Sequence, residues 1–524
     1  MNAYVEGSSH TLPVWGRVDA APQVDMGTLP ASRVCVVGAG IAGLSLALNL
    51  LENGVSTTVL DRYHVGAGET ARSSGHLASA LDDRFSELQF RHDFHGAQLA
   101  AESHREAISL IQSWVERYRI ECGFRRVDGY LSGSGSADPE LLEKELLAAR
   151  LSGLEVELVA AAPGLGALGP ALRFPRQARI DPLAYLLGLA RAVRERGGRI
   201  VENVDVTEVD DGSPCTVRLL DGRNQHYEAV AICTNVPFHR LVAYHTKQAA
   251  YRTFVVAARA PRAPLPDALF WDAASPYHYL RWKAGGGESD LLLIGGADHK
   301  TGQDTPAPFA ELEAWARNLI PTLGAIEFAW SGQVIEPVDG LGFIGRDVGA
   351  ENVYVATGDS GNGLTHATLA APLLSALIGG HEHAWEHLYS PARKAFNRQW
   401  AGETVNMVKQ YGDWIGAGDD VTPESLAPGQ GAVVRDGLHR IALFRDERGE
   451  LHRFSARCTH LGCVVHWNAQ ERSWDCPCHG SRFDGAEGNV LNGPATRGLH
   501  RIDPEAVASN ATVESEIQAP PPLI

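Results

Sequence analysis

A short apolar run, Arg33 to Val37 (RVCVV), leads directly into Gly38-Ala39-Gly40-Ile41-Ala42-Gly43. The run suits a buried parallel strand. Leu44 to Glu52 is then rich in helix-forming Leu and Ala, and Asn53-Gly54 is a good helix stop. A second strand, Thr57 to Leu60, ends at Asp61. Strand, glycine turn, helix and strand in this order supply the context that a dinucleotide fingerprint requires. Gly38 permits the tight turn, Gly40 lets the backbone approach a pyrophosphate, and Gly43 lets helix and strand pack closely. The phosphates meet unpaired N–H groups of the helix N-terminus around Ile41 and Ala42, where the dipole favours an anion. Asp61, 18 residues beyond Gly43 and followed by Arg62, is placed to accept from a ribose hydroxyl.

The same glycine spacing recurs at Gly164, Gly166 and Gly169, bracketed by Pro163 and Pro170. Pro170 is poorly placed for a helix that opens within the motif, so this copy reads as loop. A single nucleotide site follows, and the fingerprint alone leaves FAD and NAD open.

Further along, 91–121 and 183–196 have helical composition, and 228–233, 254–259 and 291–297 are strand-like. Residues 353–357 (VYVAT) form another buried strand, running into Gly358-Asp359-Ser360-Gly361-Asn362-Gly363 and a helix from Leu364 to Ile378. After about residue 383 the texture changes. The spacing predicts mostly helix over 384–412, a linker over 413–430, and a small all-β domain of short strands from 431. The domain plan is an extension over 1–31, an oxidoreductase-sized unit over 32–383, a helical segment and linker over 384–430, a β domain over 431–506, and a Pro-rich tail over 507–524.

Eight cysteines occur, and four of them, Cys458, Cys463, Cys476 and Cys478, fall within 21 residues. In a large chain such a cluster suggests metal before a disulfide framework. Cys458 with His460, and Cys476 with His479, suit a two-iron cluster of mixed ligation, one iron on the two thiolates and the other on the two imidazoles. Zinc is the competing metal, since the same donors suit a tetrahedral site.

Sixty-three acids against 46 bases give a net charge of -17. That argues against nucleic acid or an anionic membrane as the main partner, because both reward clustered Lys and Arg. No apolar run approaches the roughly 20 residues that span a bilayer, and the first thirty residues hold nothing like a secretion signal. The expectation is a soluble, cytoplasmic chain without a transmembrane segment.

The stretch Gly66 to Leu77, containing Arg72, Ser73, Ser74, Gly75 and His76, resembles the flavin-contacting segment of the D-amino-acid oxidase-like FAD superfamily. Ala356 to Thr365 resembles that superfamily's second FAD motif, in which a helix N-terminus points at the flavin ring; it brings in Gly358, Gly361, Asn362, Gly363, Leu364 and Thr365. Val206 and Ala231 to Asn235 fit the intermediate strands that complete the nucleotide pocket. The resemblance spans about 32–380 and implies FAD in place of NAD.

The strings C-T-H-L-G-C and C-P-C-H-G-S resemble the Rieske [2Fe-2S] family over about 424–503. That resemblance implies a Cys463–Cys478 disulfide beside the cluster and Ser481 as a donor to a cluster sulfur. It also puts Phe483 in the place of a tyrosine donor in the high-potential members.

The whole chain resembles a bacterial group of D-amino-acid oxidase-like proteins with a C-terminal Rieske domain. The match extends through Leu81 to Phe85, Asp298 to Gly302 and Pro337 to Gly340. The implied fold is an α/β FAD-binding Rossmann-like domain with an α+β substrate domain, plus a small all-β Rieske domain. The implied activity is hydride transfer from an amine or amino acid to FAD, with the cluster passing electrons singly to an external acceptor, a protein or small molecule. Tyr279 and Arg281 share a face of a strand, and Arg281 is a candidate bidentate clamp for a substrate carboxylate. His76 is the third candidate catalytic residue. Asp298-His299-Lys300 is either a charged substrate site or a solvated loop. Two alternatives stand beside this reading: a 2-hydroxy acid or alcohol dehydrogenase with His76 as base, and an electron-transfer reductase serving a partner oxygenase.

Overall fold

The computed structural model describes residues 11–502, apart from 17, 19–28, 30, 134–138, 240–243, 245, 263, 284–289, 304–306, 396–413, 415–417, 420 and 438. The chain divides into two compact units. The larger comprises Leu12–His299 and Thr305–Ala395; the smaller comprises Phe396–Ile524 with Met1–Thr11 and Lys300–Asp304.

The larger unit holds a six-stranded sheet in the order Phe343–Arg346, Val353–Thr357, Ala229–Ile232, Val34–Val37, Thr57–Leu60 and Arg199–Val201. All neighbours are parallel except the antiparallel edge strand Phe343–Arg346. Every residue of Val34–Val37 and of Thr57–Leu60 is buried, as strands covered on both faces must be. Helices Ile41–Glu52 and Gly363–Ile378 share one apolar core against this sheet, through residues such as Leu44, Leu48, Leu369 and Leu373. The glycine-spaced stretch at 164–169 contains only a three-residue 3-10 turn, Gly166–Leu168, and the chain then enters strand Ala171–Arg179. No nucleotide-binding helix forms there.

A second, mostly antiparallel sheet of nine strands runs in order from Ile326–Pro337 through Gln248–Ala260, Asp290–Lys300, His278–Lys283, Leu269–Asp272, Arg125–Ser132 and Ala171–Arg179 to His76–Leu77, with Glu157–Val159 beside Ala171–Arg179. Alternation along His278–Lys283 decides which side chains meet which layer. Leu280 and Trp282 pack with Phe254, Leu292 and Ile294 beneath helix Pro308–Leu319. Tyr279 and Arg281 point the other way.

Helix Phe85–Arg117 starts earlier than the composition of 91–121 suggested, and it breaks at Asp93, whose φ is 58°. The Asp93 carboxylate accepts from Gly96 N at 2.9 Å, capping the continuation. Of the helical segment expected over 384–412, Glu386–Tyr389 is one turn. Residues 396–413, and the expected tail over 507–524, lie outside the described residues.

In the smaller unit, Gly431–Asp436, His439–Arg445 and Leu451–Ser455 form one antiparallel sheet, and His466–Asn468, Ser473–Asp475, Arg482–Asp484 and Val490–Asn492 form another. Their core includes Phe454, Val465, Trp474 and Phe483. Arg482 and Asp475 are buried together at 3.1 Å, and Ser473, Asn468 and Asn492 satisfy their remaining atoms. Among the described residues no helix is long and apolar enough to cross a membrane.

Candidate functional site

The glycine turn has the shape its sequence requires. Gly38 has a φ of 107°, and a Cβ there would lie 2.4 Å from the Cys233 carbonyl oxygen. A Cβ on Gly43 would lie 1.9 Å from the Gly38 carbonyl oxygen, so helix and turn approach as only glycine allows. Beside Gly40 a Cβ would meet nothing closer than Thr70 Oγ1 at 3.5 Å, which leaves the approach to this backbone open. No side chain caps the helix that begins at Ile41, and the Ile41 N–H donates to Thr70 Oγ1 at 3.1 Å. Asp61 accepts from Ala39 N at 2.6 Å and from Tyr63 N at 2.8 Å. Burial pushes its carboxyl up to about 6 against those donors. Each carboxylate oxygen keeps a second lone pair. Arg62 is ion-paired with Asp205, and Val206 is buried in the core beneath.

The segment 72–76 is held against the second sheet. Arg72 donates to the Ser331 carbonyl, and Trp15 and Trp330 donate to the Ser73 and Arg72 carbonyls at 2.8 and 2.9 Å. Gly75 turns at a φ of 78°. Arg281 is 1% exposed; its Nε donates to the Ser74 carbonyl at 2.7 Å, and its other nitrogens reach the Ile180 carbonyl at 2.8 Å and the Trp282 carbonyl at 3.4 Å. The expected carboxylate clamp is therefore corrected: this guanidinium is enclosed and fastens the loop. Tyr279, on the same face as expected, lies edge-on to His76 at 5.3 Å and shares a hydrogen bond with Thr253 Oγ1 at 3.2 Å. His76 Nδ1 and Ser74 Oγ share a hydrogen bond at 2.9 Å. Burial, and then the Arg281 charge, push His76 down to about 3, so the ring is neutral.

The helix Gly363–Ile378 opens without a side-chain cap at Asn362, whose side-chain oxygen accepts from Asp82 N at 3.1 Å. Thr365 Oγ1 bonds His104 Nδ1 at 2.7 Å, and Leu364 is buried. Gly358 and Gly361 have φ of 79° and 73°, and a Cβ on Gly361 would lie 1.8 Å from Asp82 Oδ2.

In the smaller unit, two loops repeat one geometry. Cys458 N donates to the Cys463 carbonyl at 2.8 Å and Gly462 N to the Cys458 carbonyl at 2.9 Å; Cys476 N donates to the Ser481 carbonyl at 2.8 Å and Gly480 N to the Cys476 carbonyl at 3.0 Å. A Cys463–Cys478 disulfide joins them. The Cys458 and Cys476 thiols are hydrogen-bonded, which lowers the Cys458 thiol's pKa. The His460 and His479 rings stand 5.0 Å apart at 90°. Burial pushes these imidazoles down to about 3 and about 4, the neutral form that binds metal. Ser481 bonds Cys458 and accepts from Ala495 N at 3.1 Å.

Comparison with known proteins agrees with this geometry. Residues 33–377 match the FAD dependent oxidoreductase family, and residues 419–503 match the Rieske [2Fe-2S] domain. The chain belongs to the FAD-dependent oxidoreductase family and carries a Rieske domain. It is 30% identical over 477 residues to a putative Rieske 2Fe-2S iron-sulfur protein, YhfW, of Bacillus subtilis (strain 168), covering 90% of this chain and 93% of that one. It is 28% identical over 195 residues to gamma-glutamylputrescine oxidoreductase of Escherichia coli (strain K12), covering 36% of this chain and 46% of that one. Among solved structures, glycine oxidase from Geobacillus kaustophilus superposes with a TM-score of 0.59 at 22% identity, covering 69% of this chain and 99% of that one, which shows the shared fold.

For a member of this family, the open backbone at Gly40 and the uncapped helix start at Ile41 fit the pyrophosphate of FAD, and the two thiols with two neutral imidazoles fit a [2Fe-2S] cluster. Sequence reasoning singled out Asp298 as part of a candidate charged substrate site but missed the other carboxylates, Asp82, Glu336 and Asp359, beside the flavin segments. Burial, and then neighbouring carboxylates including Asp298 and Asp359, push Asp82 up to about 7 and Glu336 to about 8; burial pushes Asp298 up to about 7 against a Thr253 hydrogen bond and the nearby His299 and His278, and pushes Asp359 to about 7 with Glu69 adding to it. Asp82 is nevertheless exposed at the surface. The residues stood in view within the stretches around 82, 298, 337 and 358. Nothing in their spacing said that they meet.

Proposed function

We propose that the chain oxidises the C–N bond of an amine or amino acid and passes the electrons singly to an external acceptor. FAD supplies the hydride acceptor and the [2Fe-2S] cluster the one-electron outlet. The observation that weighs against the hydroxy-acid alternative, which relies on His76 as its base, is the state of His76. A hydroxyl must lose its proton to a base, and the imidazole beside the flavin segment is pushed down to about 3, too weak a base for that role. A neutral amine needs no strong base, only an apolar slot and correct positioning. Tyr279 and Tyr277 supply ring surface there, 5.8 Å apart. Arg281 and Arg72 position the loop 72–76, as their backbone contacts support. The similarity to gamma-glutamylputrescine oxidoreductase supports an amine.

The test is anaerobic titration of the holoprotein with panels of amines, amino acids and 2-hydroxy acids, reading flavin absorbance and cluster EPR together. Amines are expected to bleach the flavin and bring up the reduced-cluster signal. Bleaching by hydroxy acids alone overturns the amine reading. Bleaching with a silent cluster overturns the relay, and rapid reduction by NADH favours the reductase alternative.

A further inference from the structure

We propose that the turn at 300–303, remote in sequence from the Rieske match, is a working part of the cluster site: seated on the Cys476 loop, Gly302 positions the backbone that tunes the cluster's reduction potential. The inference goes beyond the reading above and does not depend on the substrate.

The Rieske match begins at residue 419, yet Lys300–Asp304 belongs to the same compact unit as the cluster loops. Gln303 N donates to the Lys300 carbonyl at 3.0 Å and closes a turn, with Gly302 in its third place at a φ of 75°. Thr301 beside it is buried. Gly302 lies against the two peptide units that flank the ligand Cys476. A Cβ there would stand 2.8 Å from Pro477 N, and 3.0 Å from both Pro477 Cα and the Asp475 carbonyl oxygen. All three are backbone atoms, so only glycine permits the approach. His466 anchors the turn. Its Nδ1 donates to the Gly302 carbonyl at 2.8 Å, and the residue is the cross-strand partner of Asp475.

The contact falls where the cluster's electronics are set. The Cys476 sulfur accepts from the backbone N–H groups of Cys478 and His479, the two residues after Pro477. Hydrogen bonds to the sulfurs are among the factors that fix the potential of an iron-sulfur cluster. The reduced cluster carries the extra negative charge, so donors to sulfur favour it. A backbone pinned at Asp475 and Pro477 keeps those N–H groups on the sulfur. A backbone displaced or released there loosens them, and the potential falls. Gly302 and His466 are thus positioning residues, acting through the loop that carries Cys476.

The test is the cluster midpoint and EPR spectrum of full-length holoprotein carrying Gly302→Ala, His466→Leu or Gly449→Ala. Gly302→Ala pushes a methyl group into the Asp475 and Pro477 backbone. Its midpoint should fall by at least threefold in the reduction equilibrium, about 28 mV at 59 mV per tenfold for one electron. His466→Leu frees the turn without a clash and should lower the midpoint by a smaller amount. Gly449→Ala is the control for backbone strain alone: its φ is 84°, and a Cβ there meets nothing within 4 Å. That variant should keep the native midpoint, and the flavin potential should be unchanged in all three. Native midpoints and g-values in Gly302→Ala and His466→Leu overturn the proposal, as does an equal fall in Gly449→Ala. Should Gly302→Ala lose its cluster, His466→Leu, at a half-buried position, decides by the same two outcomes.

Discussion

The Arg281 guanidinium donates to the Ser74 carbonyl at 2.7 Å, fastening the flavin segment to the substrate sheet from within. Arg281→Met would leave the Ser74 and Ile180 carbonyls short of donors, at about 1–3 kcal/mol for each buried group. The expected result is at least tenfold weaker FAD retention, measured by flavin fluorescence after dilution. Were Arg281 a substrate clamp, FAD would stay bound and only KM for amino acids would rise.

Gly43→Ala puts a methyl group where 1.9 Å separates it from the Gly38 carbonyl oxygen. Both partners are backbone, so neither yields cheaply. The variant should purify without flavin, while its cluster EPR signal persists because the ligand loops belong to the other unit. Stoichiometric FAD in this variant would show that the turn is not the cradle.

What was legible in the chain follows the distance over which each feature is assembled. The glycine turn and the two cluster loops are built from neighbours, so residue type and spacing carry their chemistry. Arg281 was readable as a strand residue on the face of Tyr279, but its partners lie 207 and 101 positions away, and only the sheet brings them to it. The carboxylate group draws on four segments for the same reason. Asp82 follows His76–Leu77, Asp298 and Glu336 come from two long strands, and Asp359 opens the second flavin motif. Helix Phe85–Arg117 shows the limit of composition, since its break at Asp93 depends on a backbone conformation that the residues around it do not announce.

Carboxyls raised by burial should make the protein's stability sensitive to pH in a definite sense. The Glu336 carboxyl is raised to about 8 in the fold, above its ordinary value near 4.5. Its contribution is therefore fully present at low pH and is lost as pH rises through about 8. Asp82, Asp298 and Asp359 act in the same direction, while His76, raised in stability by remaining neutral, acts oppositely below about 6.5. Glu336→Gln should raise the melting temperature at pH 8.5 by on the order of 3 °C, with a much smaller effect at pH 5. Thermal scans of both proteins at the two pH values decide it, and destabilisation at pH 8.5 would show that the carboxylate is already compensated.

Asp475 and Arg482 are both almost wholly buried beneath the cluster loops. Removing one partner strands the other, which costs about 3–5 kcal/mol. Asp475→Ala should lower the urea midpoint for loss of the cluster's visible absorbance, with no change in the flavin's own unfolding. An unchanged midpoint would mean that Ser473 and Asn492 suffice to hold Arg482.

Phe483 is fully buried beside Trp474 and sits where the high-potential Rieske proteins resembled by this chain carry a tyrosine. A hydroxyl donor to sulfur stabilises the reduced cluster, and its absence lowers the potential. The native midpoint should fall below the respiratory values, within the family span of about -150 to +300 mV. Phe483→Tyr restores a donor worth about 1 kcal/mol, which at 59 mV per tenfold for one electron is a rise of about 40 mV. Ser481, already bonded to Cys458, provides the opposite control, and Ser481→Ala should lower the midpoint by a similar amount. Protein-film voltammetry of the three proteins reads both shifts. A native midpoint at the top of the span, or a Phe483→Tyr variant without a rise, would remove the missing hydroxyl as the cause.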